Sequence, residues 1–567
     1  MKKILTIGLL ISLSLALVRA QDLTNIKNQK PVRFSGSTEL RSIFYDASGI
    51  ANRRKPFTWI FSGNPTLSLY GWDIPFSFIL SRDERTFRQP FNQFGMSPTY
   101  KWLTLHGGFR NVSFSPFTLG GHTMLGGGLE ANPGKWRLGF MYGRLNRATV
   151  IDTTRMALTP FSFSRTGWAA KAGYGTEKAF IDIHLLRAKD NPDSKPDNLN
   201  LLSEEYQTLP AANTVIGYGT RITLFSKVIV ESDGAASLYT YDINSPLDIV
   251  NSVNEEWRRW MKMFYVNGTT EWAKAFSLSV GYREKNYGVR IGYRRIDPGF
   301  MSMGAYYIAN DLENLTLNPT FILFKNKLRF NGSLGIQRDN LRNQKQASNK
   351  RIIGSAVLGA DITERLGIDV NFSNYSNSMQ PKTLVFADSL KIVQNTTSLN
   401  VMPRYTIRGR TTTQMIFLMA NLNQMRDFGG YYSAEAPSRD ISTYQFSLNY
   451  NISFPNRNLS LFSTLSYVNM SAASMDSRYS GITAGGNYGL LKNKLQTGMS
   501  LSLMQGKVNT ATSLIMNGSL NAKYELSRMH ALRALLFLTN NRSDTHSSGG
   551  YPSFRETRAE MAYQFTW

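Results

Sequence analysis

Residues 443–454 read TYQFSLNYNISF. Tyr444, Phe446, Leu448, Tyr450, Ile452 and Phe454 occupy alternate positions, with Thr443, Gln445, Ser447, Asn449, Asn451 and Ser453 between them. A period of two puts the first set on one face of a β-strand and the second on the other. Leu514, Met516, Gly518, Leu520, Ala522, Tyr524 and Leu526 repeat the pattern, with Ile515 as an exception, and so do Phe276, Leu278, Val280 and Tyr282.

The same grammar runs from about Arg33 to Trp567: 9 to 14 alternating residues, a tight turn, another run, then a longer polar segment. A soluble β-sandwich would also alternate, with its apolar face turned inward. Three features favour the inverse, a barrel with lipid outside and water inside. The pattern never breaks in composition, its polar face holds small residues and arginines, and aromatics recur near strand ends as they do at bilayer interfaces. Closure satisfies every backbone group that faces hydrocarbon. The expected fold is therefore all-β, one large antiparallel transmembrane β-barrel.

Short connections are expected at 132–134, 176–179, 225–227, 284–286, 325–327, 364–367, 409–410, 455–458, 491–493 and 527–530. They should be periplasmic, because barrels of this kind keep short turns on that side and long loops outside. The external loops should be 149–164, 189–211, 243–261, 298–314, 339–349, 377–393, 426–439, 470–478 and 543–553. Tyr70, Trp72, Ile74, Phe76, Phe78 and Leu80 hold one phase, so 66–81 reads as one strand despite Pro75, and the tally comes to about 24 strands. If a turn interrupts 71–75 instead, a second at Gly107 and Gly108 would give an even 26.

The chain opens with Lys2 and Lys3, an apolar run from Ile4 to Val18, and Arg19-Ala20. A basic start, a short apolar core and a small residue describe a secretory signal, residues 1–20, cleaved after Ala20. Residues 21–32 would be a short periplasmic segment, too small for a plug domain, and 33–567 the barrel. There is no Cys, so neither a disulfide nor a lipoprotein anchor is available. The net charge of +25 falls to +22 without the leader, and export argues against nucleic acid as the partner. Anionic lipid, lipopolysaccharide or anionic solutes fit better.

Chemistry-bearing clusters are scarce. His106, His122, His184 and His530 lie on separate runs without metal-ligand spacing. His184 alternates with Ile183 and Leu185 and is expected to be a wall residue in water. His546-Ser547-Ser548-Gly549 loosely matches the His and Ser motif of outer-membrane phospholipases but departs from it before the Gly, and reads as a loop tip. Asp190 and Asp193 suit a turn, or a weak Ca²⁺ site within 189–198; Asp311 and Glu313 should be solvated. No metal, cofactor or catalytic group is expected.

The lumen-facing set is more informative. Arg137, Lys171, Arg221, Arg283, Arg290, Arg294, Arg329, Arg404, Lys523 and Arg558 fall on the inward phase, against Asp182, Asp369, Glu525 and Glu560. Either this excess attracts anions, or its cations pair with acids to brace the wall.

The chain ends MAYQFTW, Met561 to Trp567, with Ala559, Met561, Tyr563, Phe565 and Trp567 in the lipid phase and Arg558, Glu560, Ala562, Gln564 and Thr566 in the lumen phase. An alternating last strand with a terminal aromatic resembles the targeting signal of Gram-negative outer-membrane proteins. That resemblance implies recognition of Tyr563, Phe565 and Trp567 by the barrel-assembly machinery, and pairing of this strand with the first. The stretches at 293–299 and 304–307 and the Asn-rich loops resemble Bacteroidota barrels. Two functions fit: a porin-like conduit for polar or anionic solutes gated by inward-folded loops such as 189–211 and 243–261, or the barrel of a translocon, secretion or anchoring complex. For the second, Val250, Val253, Trp257 and Trp260 would contact a plug or surface partner.

Overall fold

The computed structural model describes residues 32–70, 72–81, 93–148, 162–194, 208–247, 254–255, 258–259, 261, 264–381, 392–428, 439–544 and 552–567. The signal sequence, His546 and Val250, Val253, Trp257 and Trp260 lie outside them. The alternating runs form one antiparallel sheet of 29 segments. Three pairs of segments are single strands interrupted at Gly36, at Asn64-Pro65 and at Ser97-Pro98, which leaves a closed barrel of 26 strands.

Closure follows the expected seam. Strand Ser37–Ser48 pairs with Phe554–Thr566 from Ser37 opposite Thr566 to Ser48 opposite Arg555, and the amide of Trp567 donates to the Gly36 carbonyl (3.0 Å). Both described ends of the chain therefore sit at the end of the barrel that carries the short turns. Every short connection expected from the sequence joins two neighbouring strands there.

Three local expectations are corrected. Residues 66–81 are two strands: Leu69 pairs with Trp72, and the chain reverses between them with Tyr70 at φ 46°. A two-residue turn flips the parity, so Leu67 and Leu69 share a face with Ile74 and Trp72. The phase that ran on from Tyr70 belongs to the second strand alone. Gly107 and Gly108 do not form a turn but lie inside strand Leu103–Ser113. There Gly108 takes φ 84°, where a Cβ would meet the Phe94 carbonyl oxygen at 2.4 Å; the reversal comes earlier, at Lys101 and Trp102, with Lys101 at φ 51°. Residues 470–478 are not a long loop: Ala472 pairs with Met475 across a two-residue hairpin of Ala473 and Ser474.

Burial follows the pleat. Phe446, Leu448 and Tyr450 are exposed on the outer wall while Ser447 between them is buried. At the turn end the outer wall is a band of rings, with Trp136 against Tyr174 (5.4 Å), Trp72 on Tyr100 (5.0 Å) and Phe565 against Trp567 (4.7 Å). Interfacial aromatics of this kind flank the apolar band of a membrane barrel.

Candidate permeation pathway

Two arcs of the inner wall differ in what covers them. From strand Leu103–Ser113 round to Tyr287–Ile296, the inward positions near the loop end are apolar: Met124, Met141, Leu186, Val215 and Ile296 are all completely buried. An apolar patch inside a water-filled barrel needs a lid, and two connections supply it. Residues 114–119 and 297–311 turn inward and pack Phe117, Leu119, Phe300 and Met303 onto the patch. Phe117 and Phe300 meet edge to face (6.0 Å).

Hydrogen bonds fix the lid. The Ser302 hydroxyl donates to the Thr118 carbonyl (2.6 Å), the Ser237 hydroxyl to the Met301 carbonyl (2.7 Å), and the Met303 amide to Asn213 Oδ1 (3.0 Å). The Gly120 amide donates to the Gly304 carbonyl (2.9 Å). At Gly304 a Cβ would lie 2.6 Å from the Thr118 carbonyl oxygen and 3.0 Å from Leu186 Cδ2, so the approach requires glycine. Tyr306 stacks on His122 (4.2 Å).

Asp311 anchors the far end of the lid. Its carboxylate is 2.5 Å from Lys345 Nζ and accepts from the Leu341 amide (2.8 Å). Burial works to raise its pKa, but Lys345 and the backbone amides outweigh burial and hold it below the ordinary aspartate range. Asp311 is thus buried and paired, not solvated, and Glu313 is held by the Tyr293 hydroxyl (2.6 Å), Arg295 (3.6 Å) and Arg338.

The ten predicted lumen cations all fall on the inner face, and eight have a carboxylate partner. Arg137 makes a two-point contact with Asp182 (2.8 and 2.9 Å); Lys171 lies 3.7 Å from Glu130. Arg221 and Arg290 share Glu231, and Arg329 (3.1 Å) and Arg404 share Asp361, with Asp369 also on Arg404. Lys523 pairs with Glu525 (2.6 Å) and Arg558 with Glu560. Arg294 sits over the Phe117 ring (5.4 Å), and neither it nor Arg283 has a carboxylate within 4 Å among the described residues. Sequence reasoning missed the matching acids Glu130, Glu231 and Asp361, although register places Arg221 directly opposite Glu231.

The other arc, six strands from Thr413–Asp427 to Ala511–Glu525, is lined by amides and hydroxyls. Thr464 donates to Asn449 Oδ1 (2.7 Å), Thr483 to the Ser502 hydroxyl (2.9 Å), and the Ser500 and Ser519 hydroxyls share a bond (2.7 Å). Among the described residues its inward charges are Asp427 at the loop end and Lys523 and Glu525 at the turn end. Two of its loop-end connections are two-residue hairpins, at Ala473 and Ser474 and at Asn509 and Thr510.

The remaining candidates are structural. His184 is buried rather than in water, and among the described residues neither ring nitrogen has a hydrogen-bond partner. His106 bridges Ser97 (2.9 Å) and Glu130 (3.1 Å), and His530 meets the Tyr563 hydroxyl (2.6 Å). Asp190 is taken up by Arg165 (2.8 and 3.1 Å) and the Ala211 amide. No cluster of three metal-ligating side chains occurs among the described residues.

A closed barrel whose outer wall is apolar is a transmembrane β-barrel fold, and its place is the bacterial outer membrane. No family model and no curated protein matches the sequence. Solved structures of similar architecture include OccAB4 of Acinetobacter baumannii (11% identity, 69% of this chain and 97% of that one, TM-score 0.30). Another is opdK of Pseudomonas aeruginosa (12%, 69% and 100%, TM-score 0.29). The P pilus usher PapC translocation pore is a third (11%, 94% and 100%, TM-score 0.40).

Proposed function

We propose that this barrel is a porin-like conduit for polar solutes whose passage runs along the amide and hydroxyl arc. The supporting observation is the contrast between the arcs: one is covered near the loop end by inward-folded connections and carries charged side chains, most of them paired, while the other is polar, uncharged through its middle and joined at two of its loop-end connections by two-residue hairpins. A barrel of 26 strands is wider than 16- to 18-stranded porins, which already leave an aqueous channel, so covering one arc narrows the passage without closing it. Of the ten predicted lumen cations, Arg283 and Arg294 are left without a carboxylate and add a mild preference for anions. The low-acid, Asn-rich loops support a Bacteroidota-type origin for such a channel.

The test is conductance of the purified barrel in a planar bilayer. A steady, ohmic conductance with a reversal potential displaced slightly toward anions is expected. A silent barrel, or one that copurifies with a stoichiometric protein partner, would favour a translocon or anchoring component instead. A clearly cation-selective reversal potential would refute the assigned lumen charges.

A further inference from the structure

The lumen does not hold the protein's surplus positive charge, because its cations are largely matched by acids. Part of the surplus lies in the turns, which carry Lys227, Lys325, Lys327, Arg457, Lys492 and Lys494 among others, and part lies on the outer wall. At the turn end the outward strand positions carry rings and aliphatics, but at the loop end they carry cations. Arg187, Lys189, Lys274, Arg295, Arg338 and Lys350 each stand within four positions of the loop end of a strand. Each lies in phase with exposed apolar side chains of the outer wall, as Arg187 does with Ile181 and Ile183, and Arg338 with Leu334 and Ile336.

Register joins three of them: Arg295 is opposite Glu313, Glu313 opposite Arg338, and Arg338 opposite Lys350; Arg295 and Arg338 share Glu313 and Arg295 also reaches Asp297 (3.3 Å), so the three cations outnumber the two acids. Arg187 and Lys189 both approach the Tyr265 ring (5.1 and 5.3 Å), and Lys274 the Trp272 ring (4.4 Å). Arg426, Arg478 and Lys507 continue the belt over the other arc, and Arg542 and Arg555 over the two strands that follow it, each within four positions of the loop end. Among the described strand residues, the outward acids at this end are Asp46, Glu313 and Asp476.

We propose that this girdle binds the phosphates of lipopolysaccharide in the outer leaflet. Long cationic side chains at the edge of an apolar band extend toward the headgroup layer, where their charge is only partly screened. The strands of Arg295, Glu313, Arg338 and Lys350 are adjacent, so these cations span about 14 Å at the usual strand spacing. A glycolipid bearing more than one phosphate can engage two of them at once, whereas a phospholipid with a single phosphate engages one, and simultaneous contacts multiply. This inference is independent of what the lumen conducts.

The full-length barrel in detergent should be titrated separately with purified lipopolysaccharide and with phosphatidylglycerol, with bound lipid read by native mass spectrometry and by the shift in unfolding temperature. The triple variant Arg295→Gln, Arg338→Gln, Lys350→Gln should bind lipopolysaccharide roughly a hundredfold more weakly, at about one kcal/mol for each basic residue near an anionic surface. Correct assembly is checked by migration on unheated gels. If that variant does not assemble, Arg478→Gln, Lys507→Gln, Arg542→Gln serves as the second test of the same belt. Unchanged lipopolysaccharide binding by an assembled variant would overturn the proposal, as would wild-type binding of phosphatidylglycerol as tight as that of lipopolysaccharide.

Discussion

The two arcs of the inner wall solve the problem of a wide barrel differently. Around Met141, Leu186, Val215 and Ile296 the wall is apolar and is dried by loops that carry Phe117 and Phe300. Around Asn449, Thr464, Thr483 and Ser500 it is polar, and its side chains bond to one another along the wall. Where the wall is charged, most cations meet an acid, on the next strand as Arg221 does with Glu231, across an intervening strand as Arg137 does with Asp182, or on their own strand as Lys523 does with Glu525. The difference teaches that selectivity need not follow the number of lumen arginines, since paired charges brace the wall and largely cancel as a field.

The largest effect is expected at the seam, which joins the two arcs. Removing Phe565 to Trp567 takes away part of the pairing with Ser37–Ser48 and the apolar edge at the turn end. Unpaired strand edges do not survive in hydrocarbon, so this truncation should abolish insertion, as measured by outer-membrane fractionation and surface protease accessibility; normal assembly would refute the closure.

Next comes the lid. Phe300→Ala should destabilise the barrel by about 3–5 kcal/mol, the usual cost of emptying a buried phenylalanine site, measured by denaturant unfolding. It should also raise single-channel conductance by freeing 297–311. Higher conductance with unchanged stability would mean the lid rests on its hydrogen bonds rather than its packing.

Asp182→Asn sharpens the charged arc. Arg137 would lose its two-point partner, and the reversal potential should move toward anions. The stability cost should fall below the about 3–5 kcal/mol of a dry broken pair, because Arg137 reaches lumen water. An unmoved reversal potential would place the ion path on the other arc alone, the outcome that most favours the uncharged route.

The smallest effect is that of pH. Asp311 has a lowered folded pKa, so its tie to Lys345 is fully present above about pH 3.9, the ordinary aspartate value, and is lost as pH falls through the lower folded value. Conductance should rise modestly in that acid window and stay flat above it. Asp311→Asn should abolish the acid step.

Much of the barrel was legible because membrane strands repeat a period of two and interrupt it with short turns. Ser527 to His530 and Glu284 to Asn286 were readable as turns, and the alternating ending at Trp567 was readable as a seam. The turn between Leu69 and Trp72 was not, since a two-residue reversal next to Tyr70 leaves an apparent phase on one side of it. Ala473 and Ser474 were read as part of a long loop because Ser471 to Ser474 are all small, a composition that suits a hairpin and a loop alike. The inward phase of Arg137 and Arg404 was visible, but their partners Asp182 and Asp361 are set by register between strands, which a single sequence does not display. The lid was least visible: Phe117 and Phe300 are short apolar interruptions in turn-rich segments, and nothing local shows that they fold inward.

The central claim, that passage follows the amide and hydroxyl arc, is tested most directly by thiol labelling, because the natural chain has no Cys. Asn449→Cys and Ser500→Cys on one arc, and Val215→Cys and Ala273→Cys beneath the lid on the other, should be assembled into planar bilayers and treated with a charged thiosulfonate. Conductance should drop for the first two and hold steady for the second two. Block at Val215→Cys and Ala273→Cys without block at Asn449→Cys and Ser500→Cys would contradict the account.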